Sequence, residues 1–165
     1  MSQAFHQQVQ FRSPEETAGF AARFSQCLKQ GDVILLEGSI GAGKTHFARA
    51  LIQTRLAAAS AMEDVPSPTF TLVQTYDDGC CEIWHADLYR LTHPDEVEEL
   101  GLLAAFETAI CLVEWPDRLG NLAPPSALKL TFEMVPDPVE HEHRLVTISS
   151  ANLQWQSRVE AALRS

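Results

Sequence analysis

Apolar positions along this chain change their period several times, and each change marks an element. Ser13-Pro14-Glu15-Glu16 predicts a helix start, with Ser13 as N-cap, Pro14 at the first helical position and Glu16 placed to close a capping box. Phe20, Phe24, Cys27 and Leu28 then recur at helical spacing, and Gly31 is placed to end that helix in a left-handed conformation. Val33-Ile34-Leu35-Leu36 is a continuous apolar run, the pattern of a strand buried on both faces. Phe47, Ala48, Leu51, Ile52 and Leu56 share one side of a second helix, from about Lys44 to Ala58.

Two segments rich in β-formers, Thr69 to Tyr76 and Cys81 to Ala86, flank Asp77-Asp78-Gly79, which reads as a hairpin turn. Pro94 to Leu100 predicts a short helix stopped by Gly101. Ala109 to Val113 is a further buried strand, with Leu128 to Phe132 and Arg144 to Ile148 as strands to pair beside it. Trp155, Val159, Ala162 and Leu163 form the stripe of a closing helix, while Pro124-Pro125 and Pro136 to His143 read as loops. Strands alternating with helices predict an α/β fold with a mainly parallel sheet and antiparallel edge strands.

Composition narrows this picture. A chain of 165 residues, 45% of them hydrophobic, suits one domain spanning 1–165. No apolar run approaches the roughly 20 residues of a membrane helix. Met1 to His6 shows no basic region leading into an apolar stretch and cleavage site, so the expected compartment is the cytoplasm. A formal net charge of −10 opposes unassisted binding to DNA or RNA, because such binding draws on lysine and arginine displacing counterions. Cys27, Cys80, Cys81 and Cys111 lack CxxC metal spacing and are expected as free thiols, with Cys111 in the core and Cys80-Cys81 in an exposed turn. His85 near Cys80 and Cys81 finds no second ligand pair to complete a zinc site. His141 and His143 read as solvated residues of an acidic loop.

The most specific chemistry lies between the first strand and the second helix. Gly38-Ser39-Ile40-Gly41-Ala42-Gly43-Lys44-Thr45 matches GxxxxGK[ST] at every fixed position, in the strand-loop-helix context that motif requires. Glycines let backbone N–H groups approach phosphate oxygens at a helix N-terminus. Lys44 is placed to reach the β- and γ-phosphates, and the Thr45 hydroxyl to bind magnesium. The expected fold is therefore P-loop NTPase-like and three-layered, and the expected cofactors are ATP and Mg2+. Ser39, Ile40, Gly41, Ala42, Gly43, Lys44, Thr45 and His46 are the candidate nucleotide-binding residues.

The loop alone names many activities. It is followed, however, by Ser67-Pro68-Thr69-Phe70-Thr71-Leu72-Val73, His85-Ala86-Asp87-Leu88-Tyr89-Arg90-Leu91, Glu98-Glu99-Leu100-Gly101 and Glu114-Trp115-Pro116. In that order and spacing, over about residues 10 to 120, the chain resembles the bacterial TsaE family, formerly YjeE. The resemblance implies an ATPase of tRNA threonylcarbamoyladenosine biosynthesis, hydrolysing ATP to ADP and phosphate. Its implied partners are TsaB and TsaD, whose complex it resets between turnovers, with tRNA met only through that complex.

The resemblance also implies roles. Asp87 matches the Walker B-like acid, a magnesium ligand directly or through water. Thr69 lies in the switch-like segment and is the candidate sensor of the γ-phosphate or its metal. Glu114 ends a strand where an open α/β sheet presents carboxylates to its ligand, as metal ligand or as the group polarising water. Trp115 is a candidate to lie against the base or a partner, with core packing as the plain alternative. Lys44, Asp87, Glu114 and Thr69 form the candidate catalytic set, and Thr45, Asp87 and Glu114 the candidate metal set. Arg90 and Arg118 stand close to these motifs, as transition-state cations or as surface ion pairs. Two departures are Ser39, where family members often carry an acid, and His46, where a second threonine is common.

Other readings share the loop. A small-molecule kinase would need an arginine-bearing lid over its acceptor, and no such segment is visible. A binding module switched by ATP, with hydrolysis incidental, would differ in what the loss of Asp87 or Glu114 does to function.

Overall fold

The computed structural model describes residues 4–139 and 142–164. It opens with a strand, β1 (Phe5–Phe11), that the hydrophobic pattern does not announce. Only its terminal phenylalanines are fully buried, and glutamines interleave the rest. Helix α1 (Pro14–Ser25) starts at the expected cap, Ser13 Oγ accepting from Glu16 N at 3.2 Å, but Glu16 Oε1 reaches past the cap to accept from Arg12 N at 2.9 Å rather than closing the box on Ser13 N. It ends short of Gly31, because the next amides bond three residues back, Cys27 N to Phe24 O and Leu28 N to Ser25 O, which tightens the last turn. Gly31, at φ +89°, instead turns the chain into β2 (Val33–Gly38).

Helix α2 (Lys44–Ala58) occupies the predicted span. The strand expected from Thr69 begins only at β3 (Val73–Asp77), since Leu72 N bonds back to Pro68 O at 2.8 Å and Leu72 sits at φ +69°. Thr69 therefore lies in a turn. The hairpin to β4 (Glu82–Asp87) is closed by Asp78, whose Oδ1 accepts from Cys80 N and Cys81 N at 2.8 and 2.9 Å. Cys80 is exposed there, but Cys81 is buried, contrary to the expectation of a fully exposed pair. The expected short helix is α3 (Asp95–Glu99), and a second, unforeseen one follows Gly101, α4 (Leu102–Thr108). Then come β5 (Ile110–Glu114), a 3-10 segment (Pro116–Leu122), β6 (Leu128–Met134), β7 (Arg144–Ser150) and α5 (Trp155–Arg164).

Among the described residues one seven-stranded sheet results, in the order β1-β7-β6-β2-β5-β4-β3. Its central strands β6, β2, β5 and β4 are parallel, and β7, β1 and β3 are antiparallel additions at the edges. The two strands expected beside Ala109 to Val113 lie elsewhere: β6 pairs with β2, and β7 with β6 and β1. Strand β5 has β2 and β4 as its neighbours, and all five of its residues are buried. Helix packing makes three layers. Ile34 and Leu36 face Phe20, Phe47, Leu51 and Trp155 of α1, α2 and α5. Val33 and Leu35 face Val97, Leu102 and Phe106 of α3 and α4.

Cys111 is wholly buried in this sheet, and desolvation pushes its thiol up to about 12. His143 is also buried, with its ring nitrogens against Asp137 and Gln10, so its reading as a solvated residue fails; His141 lies outside the described residues. Among the described residues no helix is long and apolar enough to cross a membrane.

Candidate functional site

Strands β2, β4 and β5 run parallel and end at one edge of the sheet on Gly38, Asp87 and Glu114. Glu114 is paired in register with Asp87 on one side and Leu36 on the other. This is the carboxyl edge, where an open α/β sheet presents ligand-binding groups. A pocket of about 390 Å3 opens here. Ser39 and Ala42 apart, every residue of the candidate nucleotide-binding, catalytic and metal sets lines it: Ile40, Gly41, Gly43, Lys44, Thr45 and His46 from the loop and helix start, then Thr69, Asp87, Glu114 and Trp115. Ala42 is instead packed into the core, and the Ser39 carbonyl accepts from Ala42 N and Lys44 Nζ.

The loop backbone is fixed by glycines where side chains cannot go. Gly43 caps α2 at φ +114° with no side-chain cap, so the first helical N–H groups are left to a ligand or solvent. Gly38, at φ +148°, would place a Cβ 2.8 Å from the Phe132 carbonyl oxygen. Gly38→Ala is expected to cost about 2 kcal/mol and to lower the thermal midpoint by about 4–8 °C. Calorimetry showing an unchanged midpoint would contradict this account of the loop.

Charge converges on the pocket from three elements. Lys44 is 4% exposed, and its ammonium donates to the Gly38 and Ser39 carbonyls and lies 4.2 Å from the centre of the Trp115 ring. Burial lowers its pKa, while the nearby Glu114 and Asp87 carboxylates act in the opposite direction. Thr45 Oγ1 is 2.9 Å from both carboxylate oxygens of Glu114. Asp87 accepts from Thr69 Oγ1 at 3.4 Å and from Tyr89 N at 3.0 Å, and the Ser67 and Thr69 hydroxyls are 2.7 Å apart.

Some contacts were invisible in the sequence. Arg144, on β7, donates from Nε to Ala42 O at 2.9 Å and from Nη2 to Gly41 O at 3.3 Å, holding the loop by its outward carbonyls. His85, read only as a rejected zinc ligand, has Nε2 at 2.7 Å from Glu114 Oε2. Tyr89 packs against Trp115 at 4.8 Å between ring centres, with the rings tilted by 52°, and lines the pocket. Its place in the His85 to Leu91 segment was the available signal. Trp115 itself sits at φ +57°. His46 reaches across to α1, with Nε2 2.8 Å from Pro14 O. Neither Arg90, against the Phe70 ring, nor Arg118, 4.0 Å from Asp117, lines the pocket.

The donor set has a definite chemical character. Two carboxylates and a hydroxyl are hard oxygen ligands, suited to a small divalent cation rather than to a soft metal. Among the described residues no group of three or more His, Cys, Asp or Glu could hold a metal ion. A site so sparing in carboxylates suits magnesium, which takes one or two and completes its shell with water and phosphate. The glycine cradle and uncapped helix start suit the phosphate.

The family model described as "Threonylcarbamoyl adenosine biosynthesis protein TsaE" matches residues 11–144. The chain belongs to the TsaE family. Its family role is in the biosynthesis of threonylcarbamoyladenosine in tRNA. A TsaE protein of Rickettsia bellii is 36% identical over 135 residues, covering 82% of this chain and 92% of the relative. The Bacillus subtilis TsaE is 33% identical over 153 residues, covering 92% of this chain and 90% of the relative. The crystal structure of Bacillus subtilis YdiB superimposes with a TM-score of 0.76 at 26% identity, covering 99% of this chain and 98% of that one. The TsaE match runs past residue 120, where the resemblance in the sequence fades, to include β6 and Arg144.

Proposed function

We propose that this TsaE-family chain binds ATP with magnesium at the Gly38 to Thr45 loop and hydrolyses it, and that this cycle resets a TsaB–TsaD complex between rounds of tRNA modification. The observation that carries the reading is the convergence of Lys44, Thr45, Asp87 and Glu114 on one pocket at the carboxyl edge of the sheet.

Each residue has a task there. The loop amides and the Lys44 ammonium receive phosphate oxygens, and Arg144 keeps those amides turned inward by binding the carbonyls behind them. Thr45 and Glu114, already in contact, hold the magnesium, with Asp87 as the adjoining carboxylate. Magnesium supplies neutralisation of the charge on the phosphate oxygens. Thr69, bonded to Asp87 and within reach of the pocket, ties the turn at 67–72 to the state of that site. The Trp115 and Tyr89 rings wall one side of the pocket. The acidic chain leaves RNA contacts to its partners.

The test is reconstitution of the modification from purified TsaB, TsaD and this protein with labelled ATP. Multiple turnovers are expected only when all three are present, with label released as free phosphate. Equal multiple turnover without this chain would remove the reset role, and label on an acceptor would move the reading to a kinase.

A further inference from the structure

His85 is the odd residue on its face of β4. It follows Ile83 and precedes Asp87 on the side that packs against the α1–α2 layer, and its cross-strand neighbours are Leu112 on β5 and Gln74 on β3. Its side chain has no exposure at all. An imidazole in such surroundings is costly unless its polar atoms are matched. One is matched: Nε2 lies 2.7 Å from Glu114 Oε2. The other, Nδ1, is buried with no hydrogen-bond partner among the described residues.

This asymmetry fixes the chemistry. With the proton on Nδ1, a buried N–H would be orphaned and the Nε2 lone pair would face a carboxylate. With the proton on Nε2, the N–H donates to Glu114 and only a bare ring nitrogen goes unmatched. Glu114 is itself 2% exposed and meets Thr45 through both oxygens. Its carboxylate is thus held between a hydroxyl on α2 and an imidazole on β4. The Gln74 amide is bonded to Thr71 and Tyr76 rather than to His85, and a leucine at 85 would suit Ile83 and Leu112, so packing does not account for the histidine.

We propose that His85 is a positioning residue: its Nε2–H holds Glu114 in the orientation that meets Thr45, and thereby sets how tightly the site takes a divalent cation with a triphosphate. The inference rests on the nucleotide and magnesium reading above and deepens it. Groups behind metal ligands typically change metal affinity 10- to 100-fold when removed.

The experiment measures binding of a non-hydrolysable ATP analogue by calorimetry, with EDTA and across a magnesium titration, in the wild-type protein and in His85→Leu, His85→Asn and His85→Gln. His85→Leu is expected to melt no lower than wild type, to bind the analogue equally in EDTA, and to need about tenfold more magnesium for half-effect. His85→Asn, whose amide is too short to reach Glu114, is expected to show the same shift and serves if the leucine variant does not fold. His85→Gln, which restores an N–H at similar reach, is expected to return within about threefold of wild type. A magnesium dependence unchanged in both His85→Leu and His85→Asn overturns the role of His85. Absence of any analogue binding by wild type overturns the nucleotide reading instead, so the two failures are told apart. Nitrogen-15 shifts of the ring give a readout free of nucleotide: protonated Nε2 is expected, and a bare Nε2, as in the Nδ1–H tautomer, overturns the proposal.

Discussion

Lys44→Ala is expected to lower ATP hydrolysis by about 100-fold or more while the protein stays folded. The scale is that of removing one preorganised electrostatic donor from a site screened from water. Here the donor is buried, and the charge it offsets belongs to Glu114 and Asp87 as well as to phosphate, so its loss leaves two carboxylates facing an incoming polyanion. Steady-state hydrolysis, together with a thermal melt, checks both halves of the expectation. A rate within threefold of wild type would remove Lys44 from the proposed machinery. Because burial lowers the Lys44 pKa, its proton is lost at lower pH than from a solvated lysine. Analogue affinity should therefore fall on the alkaline side earlier than an exposed lysine would permit.

Glu114→Gln is expected to separate binding from turnover. The glutamine keeps the size of the side chain and an oxygen for the Thr45 hydroxyl, but it lacks the charge that a divalent cation needs. Analogue binding in EDTA should stay within a few-fold of wild type or tighten, since one negative charge leaves the neighbourhood of the phosphates. Magnesium-supported hydrolysis should fall by about 100-fold. Calorimetry and phosphate release on the same preparation check this pair. Normal turnover with an altered carboxylate would mean that Glu114 is only a partner of Thr45 and His85 in the folded protein.

How much of this was legible without coordinates depends on the range of the forces involved. The phosphate loop was readable because its chemistry is local: successive amides, one lysine and one hydroxyl lie within a few residues, and strand and helix flank them. Helix α2 and strands β2 and β5 were readable for a similar reason, since burial on one or both faces leaves a periodic mark. Strand β1 left none, because it is an edge strand whose inward face, Phe5, Gln7, Val9 and Phe11, is broken by a glutamine and only half-buried between its ends. Pairing was illegible for β6 and β7, since apolar periodicity records that a strand is buried and not which strand lies beside it. The turn at 67–72 was hidden by good β-formers, one of which, Leu72, gives its amide to Pro68 O instead of a strand partner. His85 and Arg144 escaped because each acts through a partner distant in sequence, 29 residues away at Glu114 and 102 at Ala42.

Among the described residues the first strand pairs with one other, the seventh: Phe5 to Phe11 lie against Arg144 to Ser150. During synthesis the opening residues must therefore wait for nearly the whole chain to emerge before they find their place, a closure of high contact order. Arg144 arrives with that same strand, so the grip on the Gly41 and Ala42 carbonyls is completed late. A ribosome-bound fragment halted before residue 144 would carry the entire glycine motif and still lack its brace. Stalled chains of increasing length should thus gain analogue binding abruptly, once the seventh strand has cleared the exit tunnel.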